Sequence, residues 1–216
     1  VGLWQILPLG PTGYGDSPYQ CLSAFAGNLY FIDPDELAAL GLLSPEEAAA
    51  CRTPNTGRID FGRLFLEKNR LIDRAWENFK AGRRAEGPDL AAEFATFSQQ
   101  KAFWLDDFAL FSAIKESRNF SSWDRWPASL RKREEKTLAD FRRANADRMQ
   151  RHKFAQFLFY GQWGALRAYA NERRVRIIGD IPIFAAYDSA DTWAHPELFL
   201  PDQSGKPHKR PPGPPA

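Results

Sequence analysis

Two stretches carry residues whose types and spacing suit chemistry. The first ends at Asp180. Val175 to Ile178 is β-branched apart from Arg176, and Gly179-Asp180-Ile181-Pro182 stops the run. This predicts a short buried strand closing on a carboxylate. In parallel β/α folds the carboxyl ends of strands face the ligand. An aspartate there accepts hydrogen bonds from ligand hydroxyls or orients a reacting group. An Asp in a loop can equally cap nearby backbone N–H groups, and position alone leaves both roles open. The second stretch is Gly13 to Gln20, which offers Tyr14, Asp16, Ser17, Tyr19 and Gln20 between residues that fix the backbone. Aromatic faces stack on sugar rings, and sugar hydroxyls need polar partners. The competing role is an ordinary turn whose tyrosines cap the core. Glycines alone do not make a phosphate cradle, because neither a P-loop lysine pattern nor GxGxxG is present.

Other polar residues point to structure. Asp106 and Asp107 lie on an otherwise apolar helix and suit capping or pairing with arginine. Asp188 and Asp191 flank Ser189, and Asp188 suits an N-cap. His152, His195 and His208 are scattered, and Cys21 and Cys51 lack metal-ligand spacing, so no zinc site is expected. No nucleophile elbow occurs. Arg131-Lys132-Arg133 followed by Glu134-Glu135 reads as a solvated helix face.

Positioning these groups falls to the elements around them. Trp4 to Leu9 reads as a short buried strand bounded by Pro8 and Gly10. Gly10 to Gln20 holds too much Gly and Pro for regular structure, so it is a shaped loop following that strand. From Asp33 the pattern turns helical. Ser44, Pro45 and Glu47 form an N-cap, a first-turn proline and a capping box. Leu66 to Ala81 is amphipathic, with Gly82 as its stop. Asp89 to Ser98, Phe103 to Ser117 and Ala128 to Arg133 follow as helices. Glu134 to Arg174 is strongly helical and divides near Asn145. Ser189 to His195 gives one or two further turns. Two strands joined by helices are most economically parallel. The joining segment far exceeds one crossover helix, so it is a helical subdomain, residues 33–174, inserted between strands.

Composition sets bounds on the whole. The 216 residues are 44% hydrophobic and 26% charged, average for a globular chain with a sizeable core. No apolar run approaches the roughly 18 residues of a membrane span, and no secretory leader is expected. The net charge of +2 argues against nucleic acid. Two cysteines make no disulfide framework and fit a reducing cytoplasm. Seven Trp and seventeen Phe are assigned mostly to the core of the helical subdomain.

WQILPLGPTGYGDSPYQ (Trp4 to Gln20) closely resembles the amino-terminal signature of the amylomaltases, bacterial 4-α-glucanotransferases of glycoside hydrolase family 77. SAFAGN (Ser23 to Asn28), WLDDFALF (Trp104 to Phe111), QFLFYGQW (Gln156 to Trp163) and GDIPIFAAYDSADTWAHPELF (Gly179 to Phe199) match that family in order. The resemblance implies a helix-rich α/β chain, an incomplete (β/α)8 TIM barrel spanning residues 1–205. It implies retaining transfer of α-1,4-glucan segments between maltodextrins in the cytoplasm, with no cofactor and with maltooligosaccharides as partners. It places Tyr14, Ser17 and Tyr19 along the glucan groove and Asp180 in the donor subsite.

The family's nucleophile, acid/base Glu and third Asp lie on later strands, so no residue here takes a catalytic role. An amino-terminal portion of such an enzyme, inactive by itself, is therefore expected. The ending HKRPPGPPA departs from the family pattern, so residues 206–216 are expected to be a Pro-rich tail foreign to it. The alternatives are a maltodextrin-binding module without catalysis, using Tyr14, Tyr19 and Asp180, and a helical interaction protein with a polyproline tail.

Overall fold

The computed structural model describes residues 1–52, 57–83, 85, 87, 89–180 and 185–199, with Tyr14 by its backbone alone. Two strands and nine helices form among them: β1 (Leu3–Gln5), α1 (Pro34–Ala39), α2 (Pro45–Ala50), α3 (Phe61–Lys80), α4 (Leu90–Gln100), α5 (Ala102–Ser117), α6 (Ala128–Arg131), α7 (Glu135–Ala144), α8 (Ala146–Glu172), β2 (Arg176–Ile178) and α9 (Ala190–Ala194). The tail at 206–216 lies outside the described residues.

The strands pair in parallel, with Leu3 opposite Arg176 and Gln5 opposite Ile178. All eight helices from α1 to α8 lie between them, so the crossover is the whole helical stretch. β1 is shorter than the Trp4–Leu9 expectation. Pro8 has no N–H to give a ladder, and the last inter-strand bond runs from Ile6 N–H to the Ile178 carbonyl at 3.0 Å. The expectation of buried strands is overturned: Leu3, Trp4 and Ile178 are 49%, 46% and 44% exposed. Among the described residues the sheet has two strands, and α8 packs closely against β2.

Helix starts follow their caps. Ser44 accepts from Glu47 N–H while the Glu47 carboxylate accepts from Ser44 N–H, completing the capping box. Asp89 caps α4 through Ala91 and Ala92. α3 begins five residues earlier than its apolar periodicity, because the Asp60 carboxylate accepts from Arg63 N–H at 3.0 Å and caps the helix there. The long helical run divides at Asn145, whose φ of −123° is non-helical.

The core has two adjoining clusters. Phe108, Phe111, Ile114, Trp126 and Trp193 gather around α5. Ile32, Ile72, Trp76, Phe94 and Phe154 gather around α3 and α8. Phe154 stacks aslant on Phe79 with centroids 4.6 Å apart, and both rings meet Phe94 and Trp76. Ring pairs of this kind add stabilisation beyond their buried area, which accounts for much of the aromatic surplus.

Asp107 pairs with Arg133 at 2.5 Å, and Asp106 with Lys153. Arg133 also lies over the Trp193 ring, 4.3 Å from its centroid. Arg133 therefore leaves the solvated face expected for the 131–133 run: its guanidinium seals the α9 end of the core. Among the described residues no helix is long and apolar enough to cross a membrane.

Candidate functional site

The loop after β1 folds back on itself. Thr12 bridges Cys21 in antiparallel sense, and Leu22 N–H donates to the Pro11 carbonyl at 3.0 Å. Gly13 is required at the crossing, where a Cβ would stand 2.3 Å from the Gln20 carbonyl oxygen. Gly15 and Asp16 both take positive φ, 69° and 55°. Asp16 tolerates this left-handed turn better than a branched residue would. The turn carries Tyr19 outward, and the residue is 47% exposed.

Tyr19 and Asp180 meet. The Tyr19 hydroxyl donates to Asp180 Oδ2 at 2.8 Å, joining the two loops that follow the paired strands. This hydrogen bond, with smaller contributions from desolvation and the carboxylate charge, pushes the Tyr19 phenol above its ordinary pKa. Among the described residues Asp180 Oδ1 accepts no hydrogen bond. Ser17 is used differently: its Oγ accepts from Tyr19 N–H at 3.3 Å and shapes the turn. The Tyr14 backbone lies in the same turn, and its side chain is outside the described atoms. The sequence-predicted residues thus fall on one loop and the strand end facing it.

The second half of the site comes from α8. Gln156 grips Gly27 from both sides, accepting from its N–H at 2.7 Å and donating to its carbonyl at 2.9 Å. Tyr160 donates to the Phe25 carbonyl, and Gln162 bonds Asp33 backbone in both directions. Gly27 lies so close to Phe159 that a Cβ would stand 2.0 Å from the ring. These contacts close a cleft of about 130 Å³ bounded by Leu9, Phe25, Tyr160, Trp163 and Asp180. Aromatic faces and one carboxylate in a cleft suit a polyhydroxylated ring. A larger cleft of about 450 Å³, between α3, α5 and α8, shares no residue with it.

Residues 188–192 are anchored too. Lys115, buried, meets Asp188 Oδ2 at 2.5 Å, while Asp188 Oδ1 accepts from Trp123 N–H at 3.2 Å. Ser189 rather than Asp188 caps α9, accepting from Thr192 N–H. Asp191 accepts from Ala24 N–H at 2.9 Å, and Ala190 N–H donates to the Leu22 carbonyl at 2.8 Å. Burial raises the Asp191 carboxyl above its usual range, outweighing the Ala24 bond and the nearby His195.

Sequence reasoning missed Gln156, Tyr160 and Asp191 as groups that hold the site. One signal existed: Gln156 is a lone amide within Phe154-Ala155-Gln156-Phe157-Leu158, and a buried amide needs backbone partners. Among the described residues no cluster of His, Cys, Asp and Glu could hold a metal ion.

The polar and aromatic groups gather beyond the carboxyl ends of two parallel strands, the arrangement of an α/β ligand-binding chain. Comparison with known proteins gives the family. A family model described as 4-alpha-glucanotransferase, glycoside hydrolase family 77, matches residues 1–216, and the chain belongs to that family. It is 48% identical to a 4-alpha-glucanotransferase of Thermus thermophilus over 204 residues, covering 94% of this chain and 39% of that protein. It is 40% identical to the Clostridium butyricum 4-alpha-glucanotransferase, covering 91% of this chain and 39% of the relative. The fold matches an amylomaltase from Streptococcus agalactiae, solved in complex with acarbose, with a TM-score of 0.83 at 35% identity. That match covers 95% of this chain and 41% of that one. The chain therefore spans about two fifths of the length of these relatives.

Proposed function

We propose that this chain forms the donor-sugar side of a 4-α-glucanotransferase acting on maltooligosaccharides in the cytoplasm. The observation that carries this is the 2.8 Å bond joining Tyr19 to Asp180 at the ends of paired parallel strands, beside a cleft walled by Phe25, Tyr160 and Trp163. The Tyr19 bond fixes the Asp180 carboxylate, leaving Oδ1 to accept from sugar hydroxyls. The exposed Tyr19 ring offers a stacking face, and Tyr14 and Ser17 belong to the same groove wall. The names of the relatives and the acarbose-bound amylomaltase support this assignment. The two strands and the inserted helices are part of a (β/α)8 barrel, residues 1–205, with 33–174 as its helical subdomain. Cys21 and Cys51 are free thiols, in keeping with a reducing compartment.

The reaction proposed is retaining double displacement, in which one carboxylate attacks the anomeric carbon while an acid protonates the leaving oxygen. Those two groups belong to strands this chain does not supply. Asp180 and Tyr19 hold and orient the donor sugar, and transfer wins over hydrolysis when sugar fills the acceptor side and excludes water. Calorimetry with maltotriose, alongside an assay for released glucose, tests this. Binding without turnover is expected, and Asp180→Asn should weaken it. Turnover by the pure chain would move catalysis into these residues, and binding unaffected by Asp180→Asn would remove the donor site from this cleft. If the chain binds sugar and no further polypeptide restores transfer, a non-catalytic maltodextrin-binding module takes precedence.

A further inference from the structure

We propose that Phe25 and Phe103 form a further sugar-binding position, which continues the cleft and takes the outer rings of a longer α-1,4-glucan; the assignment rests on the maltooligosaccharide function proposed above. Phe25 belongs to the cleft wall, and Phe103, in the first turn of α5, stands beside it. Their ring centroids are 5.6 Å apart with the planes at 83°, so the pair makes an aromatic corner. Both residues are open to solvent, Phe25 at 47% and Phe103 at 68% exposed. Single exposed apolar residues are ordinary on a protein surface. Two that pack on one another at the mouth of a cleft make continuous apolar surface of the kind that meets a ligand.

The corner is fixed from beneath and from both sides along the chain. Buried Trp104 lies against Phe25, its ring within 19° of parallel and 6.1 Å away between centroids. Phe25 N–H donates to Ser23 Oγ at 3.2 Å, and the Phe25 carbonyl accepts from the Tyr160 hydroxyl. Gln156 clamps Gly27 just beyond. A platform already in place loses little freedom when a ligand settles on it. The ligand class follows from the mixture of groups. C–H bonds on a pyranose face carry partial positive charge and meet the negative face of an aromatic ring. The sugar's hydroxyls need acceptors beside that face, and Asp106 supplies one. It follows Phe103 by three residues and so shares its side of α5. Asp106 Oδ1 pairs with Lys153, and the carboxylate is 58% exposed at its side chain. Among the described residues Asp106 Oδ2 accepts no hydrogen bond, which leaves it for a hydroxyl. Phe25 is shared between cleft and corner, so one glucan chain can occupy both.

Calorimetry on the full 216-residue chain compares maltose, which fills the cleft alone, with maltoheptaose, which reaches the corner. Phe103→Ala should leave the melting temperature and maltose binding unchanged and weaken maltoheptaose about fivefold. Phe103→Trp should restore the longer sugar. Maltoheptaose should shift the Phe103 ring resonances in NMR spectra, and maltose should not. Asp180→Asn separates this proposal from the donor site: it should weaken both sugars. If it weakens neither while Phe103→Ala still acts on maltoheptaose alone, the donor assignment falls and the corner stands. Three results would overturn the proposal. Maltoheptaose binds no more tightly than maltose; or Phe103→Ala changes both sugars equally or neither; or Phe103→Ala abolishes a dimer seen in sedimentation while sugar binding holds, making a second copy the occupant.

Discussion

Replacing Asp188 by alanine strips the partner from a buried cation next to the site. Lys115 is 7% exposed at its side chain, and its Nζ has Asp188 Oδ2 at 2.5 Å, the Ser121 carbonyl at 3.3 Å and the Phe111 ring centroid at 5.5 Å. Breaking a fully buried pair from one side costs about 3–5 kcal/mol. Asp188 is 34% exposed, so water reaches the gap and the cost falls, to about 2–3 kcal/mol. The Trp123 amide loses its acceptor in the same step. For a domain of this size that is a fall in melting temperature of about 4–12 °C. Lys115→Met leaves a carboxylate able to reach solvent and should cost no more than about 1 kcal/mol. In the Lys115→Met background the alanine substitution should cost little, giving a coupling of about 2 kcal/mol.

Urea titrations followed by tryptophan fluorescence give all four corners of this cycle. Additive effects, or a loss below about 0.5 kcal/mol in Asp188→Ala, would refute the view that Lys115 and Asp188 stabilise the fold as a pair.

Three further outcomes are expected. Tyr19→Phe should leave the melting temperature unchanged, since the hydroxyl is exposed, and weaken maltotriose binding severalfold by calorimetry, since Asp180 loses its fixed donor. Gly27→Ala should destabilise by about 3 kcal/mol in urea, because its Cβ meets the Phe159 ring at 2.0 Å and both strands of the Gln156 grip must shift. The raised Asp191 carboxyl sets a pH dependence: its charged form is disfavoured in the folded chain, so stability falls as pH climbs from the ordinary aspartate range through the raised value. Asp191→Asn keeps an acceptor for Ala24 N–H and should flatten that part of a stability-against-pH curve measured by urea titration.

Local chemistry was legible wherever one residue type decides an outcome. Ser44-Pro45-x-Glu47 gave a capping box, Asn145 a break between α7 and α8, and Ser189 to His195 a short helix, because caps and breaks act within a few residues. The crossover logic that makes two strands parallel also carried through to the pairing of Leu3 with Arg176. The motifs alone identified the family. Less legible was what each polar side chain does once packed. Asp188 read as a cap and is a counter-ion for Lys115. Arg133 read as a solvated charge and covers Trp193.

The sequence by itself determined most of the helix caps and breaks, the presence of two parallel strands, and the family. These depend on backbone propensities and on residues near one another along the chain. Tertiary structure alone decided that Tyr19 meets Asp180, 161 residues apart, and that Gln156 clamps Gly27, 129 residues apart. It also decided that the strands stand exposed, with Leu3, Trp4 and Ile178 nearly half open to solvent. Burial and hydrogen-bond partners depend on which distant surfaces are present to meet, and no local pattern holds that information.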